Sequence, residues 1–85
     1  DHIALGLLDA ARFELGLKVP DDLSVIGFDD IVAARQGAYQ LTTIRQSPRS
    51  LAKMTVDRLH RRVGGESLGD ERLVLPVDLV VRKTA

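Results

Sequence analysis

Two adjacent carboxylates, Asp29 and Asp30, follow the nearly apolar run Leu23-Ser24-Val25-Ile26-Gly27-Phe28. In open parallel sheets, ligands bind in the crevice beyond the carboxyl ends of the strands. A carboxylate there can accept hydrogen bonds from neighbouring hydroxyls, which suits a sugar or a nucleoside, and Asp29 is the better placed of the pair. The plainer alternative is that Asp29 or Asp30 caps a helical turn that follows, a common role for aspartate. Acid–base chemistry by the pair is disfavoured, because adjacent residues on an extended strand point in opposite directions and cannot flank one bond. His2 and His60 are far apart and neither has a second ligand at metal-binding spacing, so no metal site is expected. No serine stands in a Gly-x-Ser-x-Gly elbow and no phosphate-cradling glycine loop is present. The cluster Arg58-Leu59-His60-Arg61-Arg62 reads as a solvated helix end, where cations face the negative pole of the dipole. Neither a catalytic group nor a cofactor is expected.

The elements that would hold Asp29 in place can be read on both sides of it. Residues 3–15 form a helical pattern, with Ala4, Leu8, Ala11 and Leu15 on one stripe and Ile3, Leu7 and Ala10 widening it. Leu5 and Phe13 add apolar surface outside the stripe, so the helix is expected to be covered on more than one side. Asp1 is a plausible N-cap, Gly16 a left-handed stop, and Leu17 can fold back on the last turn. After the turn Val19-Pro20-Asp21-Asp22, residues 23–28 read as a short parallel strand covered on both faces. Helix, short loop and buried strand make half of a βαβ unit, so the class is α/β.

Beyond Asp30, residues 31–37 suit a helical turn and 37–40 a loop, and Leu41-Thr42-Thr43-Ile44-Arg45 is a second strand. Ser47-Pro48 opens a further helix, with serine as N-cap and proline at N1. Its stripe is Ala52, Val56, Leu59 and Val63, and Gly64-Gly65 stops it. Leu73, Leu75, Val77, Leu79 and Val81 then alternate as a closing strand, with Pro76 confining its middle to an edge or a break.

Composition agrees with a small folded domain. Hydrophobic residues make up 45% of the 85 and charged residues 28%, while 12 basic residues balance 12 acidic ones. A neutral chain has no basic footprint for nucleic acid. Without cysteine there is neither a disulfide nor a thiolate metal site. The longest apolar runs fall far short of the ~20 residues that cross a bilayer. No signal peptide is visible, and the abrupt opening on Asp1-His2 suggests a cut within a longer protein.

Three segments carry a more specific message. The opening, Asp1-His2-Ile3-Ala4-Leu5-Gly6, is followed by the run from Gly16 through Pro20, Gly27 and Phe28 to Asp30; Leu41-Thr42-Thr43-Ile44-Arg45-Gln46 follows; and Leu75-Pro76-Val77-Asp78-Leu79-Val80-Val81-Arg82-Lys83-Thr84 closes. In this order and spacing they resemble the lactose-repressor family of bacterial regulators. The resemblance implies a partial periplasmic-binding-protein-like (type I) sensor domain with a mostly parallel sheet, of which this chain is the C-terminal segment only. Residues 1–46 would belong to the C-terminal lobe, 47–66 to a helix crossing to the N-terminal lobe, and 72–83 to a strand closing through the hinge. A fragment of a periplasmic-type sugar-binding protein shares this fold and is the alternative.

The family's members are cytoplasmic repressors that bind operator DNA through an N-terminal headpiece and a small effector between two lobes. The headpiece would lie outside this chain. Asp29 matches the family aspartate that hydrogen-bonds the effector's hydroxyls. Gln46 matches a position near the pocket and the interlobe crossing, Asp1 a cleft-lining position, and Phe28 and Arg45 are wall candidates. The dimer face implied by the family carries over to Leu5, Leu8, Asp9 and Arg12 on the first helix, and to Ala33, Ala34, Gly37 and Tyr39 after the Asp-Asp pair. The family's usual proline before Leu41 is replaced here by Gln40. With much of the domain missing, the isolated chain is expected to associate with copies of itself, by exchange of its terminal helix or strand.

Overall fold

The computed structural model describes residues 1–67, 69 and 72–85 and divides into two units, residues 1–45 with 78–85 and residues 46–77. Each unit is described by itself. The first opens with helix α1, His2–Asp9, which runs on into a π-helical turn, Ala10–Glu14. Strand β1 is Ile26–Phe28, followed by a 3-10 turn, Val32–Arg35, and strand β2, Thr42–Arg45. Strand β3, Asp78–Val80, completes a three-stranded sheet of order β1-β2-β3.

The sheet is held by one parallel and one antiparallel pair. β1 pairs with β2 in the expected parallel sense, Ile26 opposite Thr42 and Phe28 opposite Ile44. β3 returns antiparallel on the other side of β2, with Thr43 opposite Val80 and Arg45 opposite Asp78. All three strands are shorter than their apolar patterns, because a strand ends where its ladder partner ends, not where its side chains turn polar. Closing-strand pairing over residues 73–77 is absent, and Pro76, which has no N–H to donate, lies within that stretch.

The core forms where α1 lies on the sheet. Ala4, Leu5 and Leu8 pack with Val25, Ala34 and Leu41, ringed by Val19, Leu23, Ile31 and Tyr39. Ala4, Leu8 and Ala11 are buried as their helical spacing requires, but Leu15 is 68% exposed. The Leu15 amide donates to Ala10 O over five residues, so the widened last turn rotates Leu15 off the stripe. Gly16 then stops the helix at φ 63°, and the Leu17 amide folds back to Ala11 O at 2.8 Å, as its C″ position predicts.

Gly27 lets helix and sheet approach. A Cβ there would stand 2.7 Å from a Leu41 methyl, 3.4 Å from the Ala4 Cβ and inside the Asp1 carboxylate. Expected coverage of β1 on both faces is not realised, since Ile26 is 57% and Phe28 44% exposed. β1 is an edge strand among the described residues, and α1 lies against one of its faces.

The segment after β3 is tied in by buried hydroxyls. Thr84 is fully buried; its Oγ1 donates to Val25 O at 2.7 Å and accepts from the Thr42 amide at 2.8 Å. Its carbonyl takes the Val25 amide at 2.9 Å, and Lys83 N donates to Gln40 O at 2.9 Å. Residues 82–84 thus fasten the lead-ins of β1 and β2 to one another.

In the second unit, α2 spans Pro48–Val63. Ser47 Oγ accepts from the Ser50 amide at 3.1 Å, so the serine cap and the N1 proline work as their types predict. Gly65, at φ 90°, terminates it beside the basic last turn His60-Arg61-Arg62. Arg61 pairs with Glu66 at 3.0 and 2.5 Å, holding that exposed carboxyl below its ordinary pKa. No residue of α2 is buried, and Val56, Leu59 and Val63 of its stripe are exposed.

Candidate functional site

Asp29 and Asp30 form the corner by which the chain leaves β1, and both have left-handed backbones, at φ 106° and 53°. Two consecutive non-glycine residues in that region are costly, of order 1–3 kcal/mol each, and persist only where the surroundings over-determine them. Three sets of bonds hold this corner. The Asp29 amide donates to Ile44 O at 2.8 Å, prolonging the β1–β2 ladder past Phe28. The Ile31 amide donates to Asp1 Oδ2 at 2.7 Å, while Thr43 Oγ1 donates to Asp1 Oδ1 at 2.7 Å. The third set gathers around Asp30.

Asp29 is exposed, whereas the Asp30 side chain is 1% exposed, so the corner turns the two carboxylates into different surroundings. Asp30 meets three guanidinium groups from three segments. Arg45 Nε donates to Oδ2 at 2.8 Å, Arg35 Nη2 stands 3.3 Å from Oδ2, and Arg82 Nη2 lies 2.8 Å from Oδ1. Burial pushes the Asp30 carboxyl up, but the bonds from Arg45, Arg82 and Arg35 outweigh it and bring its pKa from 3.8 to about 2. It is ionised wherever the protein is folded near neutrality.

The sequence-predicted residues separate by location. Asp29, Phe28, Asp1 and Arg45 come together in the first unit around the ends of β1 and β2. Asp1 stands at the N-cap position, its carbonyl taking the Leu5 amide at 2.8 Å, but its side chain makes no cap bond and instead ties β2 to the chain after Asp30, since both of its oxygens are bonded. Arg45 is engaged in the Asp30 cluster, so its guanidinium acts there first as a structural partner. Gln46 begins the second unit, where it lines a groove of about 400 Å³ with Leu51, Met54, Arg58 and Leu75.

The residues assigned to a dimer face also divide. Leu8 and Ala34 are fully buried and Leu5 is 9% exposed, so the chain's own core takes them and leaves no surface at Leu8 or Ala34 for a partner. Excess apolar surface on the first helix lies instead at Ile3, 91% exposed, and at Phe13. Asp9, Arg12, Gly37 and Tyr39 remain at or near the surface, with Ala33 half-buried. Two bonds bring the two assigned segments together: Arg12 Nη1 donates to Ala38 O at 2.8 Å, and Tyr39 Oη donates to Asp9 Oδ2 at 3.3 Å. The nearby Asp9 charge raises the pKa of the Tyr39 hydroxyl. Gln40, which stands where the resembled family carries proline, has φ 45°, a value a proline ring forbids. The loop before Leu41 therefore takes a different backbone path at that residue.

Sequence reasoning ranked Asp30 below Asp29 and missed Arg35, Arg82 and Thr84. Arginines close to the ends of two otherwise apolar strand patterns, at 45 and 82, were the available signal for a shared buried anion.

The α/β layer sets a polar corner past the carboxyl end of a parallel strand, the place where open α/β sheets bind their ligands. The chain belongs to the periplasmic binding protein-like domain family, whose model matches residues 1–85. Among proteins of known name it is 42% identical over 84 residues to the HTH-type transcriptional repressor PurR of Histophilus somni (strain 129Pt), covering 99% of this chain and 25% of that protein. Among solved structures it is similar to the Lac repressor dimer bound to operator and the anti-inducer ONPF, at 43% identity and a TM-score of 0.83, covering 99% of this chain and 29% of that one. A LacI-family transcriptional regulatory protein from Corynebacterium glutamicum is 36% identical with a TM-score of 0.73, over 95% of this chain and 31% of that one. The chain spans about a quarter of the length of the named repressors it matches. These relatives are regulators, which favours the regulator over a transport-type sugar-binding protein.

Proposed function

We propose that this chain is the closing segment of the effector-sensing domain of a LacI-type transcriptional repressor, and that Asp29 is its contact to the effector. The carrying observation is the position of Asp29: exposed, beyond the carboxyl end of a parallel strand, on a backbone corner strained at two successive residues. Strain of this kind persists at ligand clamps. In this reading residues 1–46 belong to one lobe, 47–66 to a helix that crosses to the other, and 72–83 to the strand returning through the hinge. The uncovered stripe of α2 supports such a crossing, because an amphipathic helix requires an apolar partner. Asp29 accepts hydrogen bonds from ligand hydroxyls, with Phe28 as an apolar wall, so the effector is a sugar or a nucleoside. Operator binding belongs to a headpiece outside these residues, the regulator acts in the cytoplasm as a homodimer, and no residue here has a catalytic role.

The test is a thermal-shift screen of sugars and nucleosides on the full-length protein and on Asp29→Ala. A ligand that binds the native state raises the melting temperature by mass action. One compound should stabilise the wild type and fail to stabilise the variant. A shift that survives the substitution removes Asp29 from the site.

A further inference from the structure

We propose that Asp30 is the positioning residue for Asp29, its carboxylate locking the left-handed corner through Arg35, Arg45 and Arg82. The functional side of this inference rests on the effector reading of Asp29; the structural side does not.

The corner cannot hold itself. The local sequence favours two successive left-handed residues only weakly: aspartate visits that region more readily than most residues, but as a single residue, and neither position is glycine. Apart from Arg35, five residues on, each holding bond comes from a distant part of the chain. Of these, the Asp30 cluster centres on a carboxylate 1% exposed and an Arg82 side chain 12% exposed, with Arg35 and Arg45 about half exposed at its rim. It also joins the largest number of segments. Arg45 ends β2, Arg35 ends the 3-10 turn, and Arg82 sits beyond β3 with its Nη1 donating to Leu41 O at 2.9 Å. A carboxylate drawn in by all three fixes the φ of its own residue, and the peptide shared with Asp29 carries that constraint one residue back. Charge is essential, since a buried amide in the same place can accept at one oxygen only and turns donors toward the arginines.

The geometry also separates positioning from general stabilisation. Thr84 is an equally buried polar hub of the same unit, yet its partners are Val25 and Thr42, at the lead-ins to the strands. Losing Thr84 should loosen the whole unit. Losing the Asp30 charge should loosen the corner first.

Hydrogen exchange in the full-length protein reads this directly, because the Asp29 and Ile31 amides are bonded only while the corner is formed. In Asp30→Asn these two amides should exchange roughly tenfold faster relative to the α1 amides of Leu5 and Leu8. In Thr84→Val all four should accelerate together. Arg35→Gln, which removes the longest and most exposed partner, should give a smaller but still local rise and serves if Asp30→Asn does not fold. Uniform acceleration in Asp30→Asn or Arg35→Gln, matching Thr84→Val, overturns the proposal. In parallel, D-glucose, D-galactose, D-ribose and adenosine are titrated against wild type, Asp30→Asn and Asp29→Ala. A compound that binds wild type should bind Asp30→Asn about tenfold more weakly or worse. Unchanged affinity in Asp30→Asn overturns the positioning role and leaves the effector reading intact. Local acceleration without binding of any of the four supports positioning and counts against the effector reading alone.

Discussion

Gly27→Ala should be among the most damaging single-methyl additions to this chain. The new Cβ would stand 2.7 Å from the Leu41 methyl, and Leu41 is fully buried in the core, so neither can move into solvent. The same methyl would invade the Asp1 carboxylate, which bonds Thr43 Oγ1 and the Ile31 amide at 2.7 Å each. Relief requires α1 to lift from the sheet. Overpacking of a tight core costs about 1–3 kcal/mol, and each weakened hydrogen bond adds about 1 kcal/mol. The total is about 3–5 kcal/mol, a large share of a typical domain's stability. Urea unfolding of the sensor domain measures it as a lower midpoint at unchanged slope. Gly6→Ala is the matched control: a Cβ at Gly6 meets nothing within 4 Å, and alanine in a helix should stabilise by about 0.5–1 kcal/mol. If Gly27→Ala unfolds within about 0.5 kcal/mol of wild type, the close approach of helix and sheet is wrong.

Acid should find the Asp30 cluster. With the folded pKa held at about 2 against 3.8 unfolded, the ionised cluster contributes roughly 2 kcal/mol that is fully present above pH 4 and is lost as pH falls toward 2. Unfolding midpoints between pH 5 and 2 should fall more steeply for wild type than for Asp30→Asn. Gln40→Pro should destabilise by about 3 kcal/mol, because it forbids φ 45° and removes the 2.9 Å bond from the Gln40 amide to Gln36 O; circular-dichroism melts read the loss. Asp29→Gly should raise the melting temperature, by about 1 kcal/mol of relieved strain, while abolishing effector stabilisation. A variant that is both less stable and unable to bind would refute the strain assignment. The isolated 85-residue chain should self-associate through its exposed apolar side chains, and a clean monomer in sedimentation at micromolar concentration would contradict that.

How far the sequence could be read depended on the range of the interaction responsible. Ser47-Pro48, Gly16 and the Ala4, Leu8 and Ala11 stripe act within one or two helical turns, and the structure has them where their residue types place them. The parallel pairing of β1 with β2 was legible because a helix and two short apolar runs leave few ways to form a sheet. Strand lengths were not, since the ends of a ladder depend on both partners. Asp1 holds the cap position its neighbours imply, but its side chain is a cross-brace because of Thr43, 42 residues away. Asp30 looked like the lesser of two aspartates, and beyond the nearby Arg35 its partners Arg45 and Arg82 reach it only when separate chain segments converge. Leu8 and Ala34 were assigned to an interface by resemblance; Leu8 is buried as its own stripe requires, and Ala34 by core packing that no local pattern displays.

Synthesis delivers the parts of the Asp29 corner in an unequal order. Asp1, Asp30, Arg35 and Arg45 are made early, but Arg82 and Thr84, which close the cluster and fasten the lead-ins of β1 and β2, come last. At ~5–20 residues per second, a ribosome that has just added Arg45 needs roughly two to seven seconds to reach Arg82. Through that interval Asp30 lacks its most buried counter-ion, Arg82. Val25 likewise lacks the bonds that Thr84 makes to its amide and its carbonyl. The Asp29 corner is therefore the last part of this segment to be braced on every side.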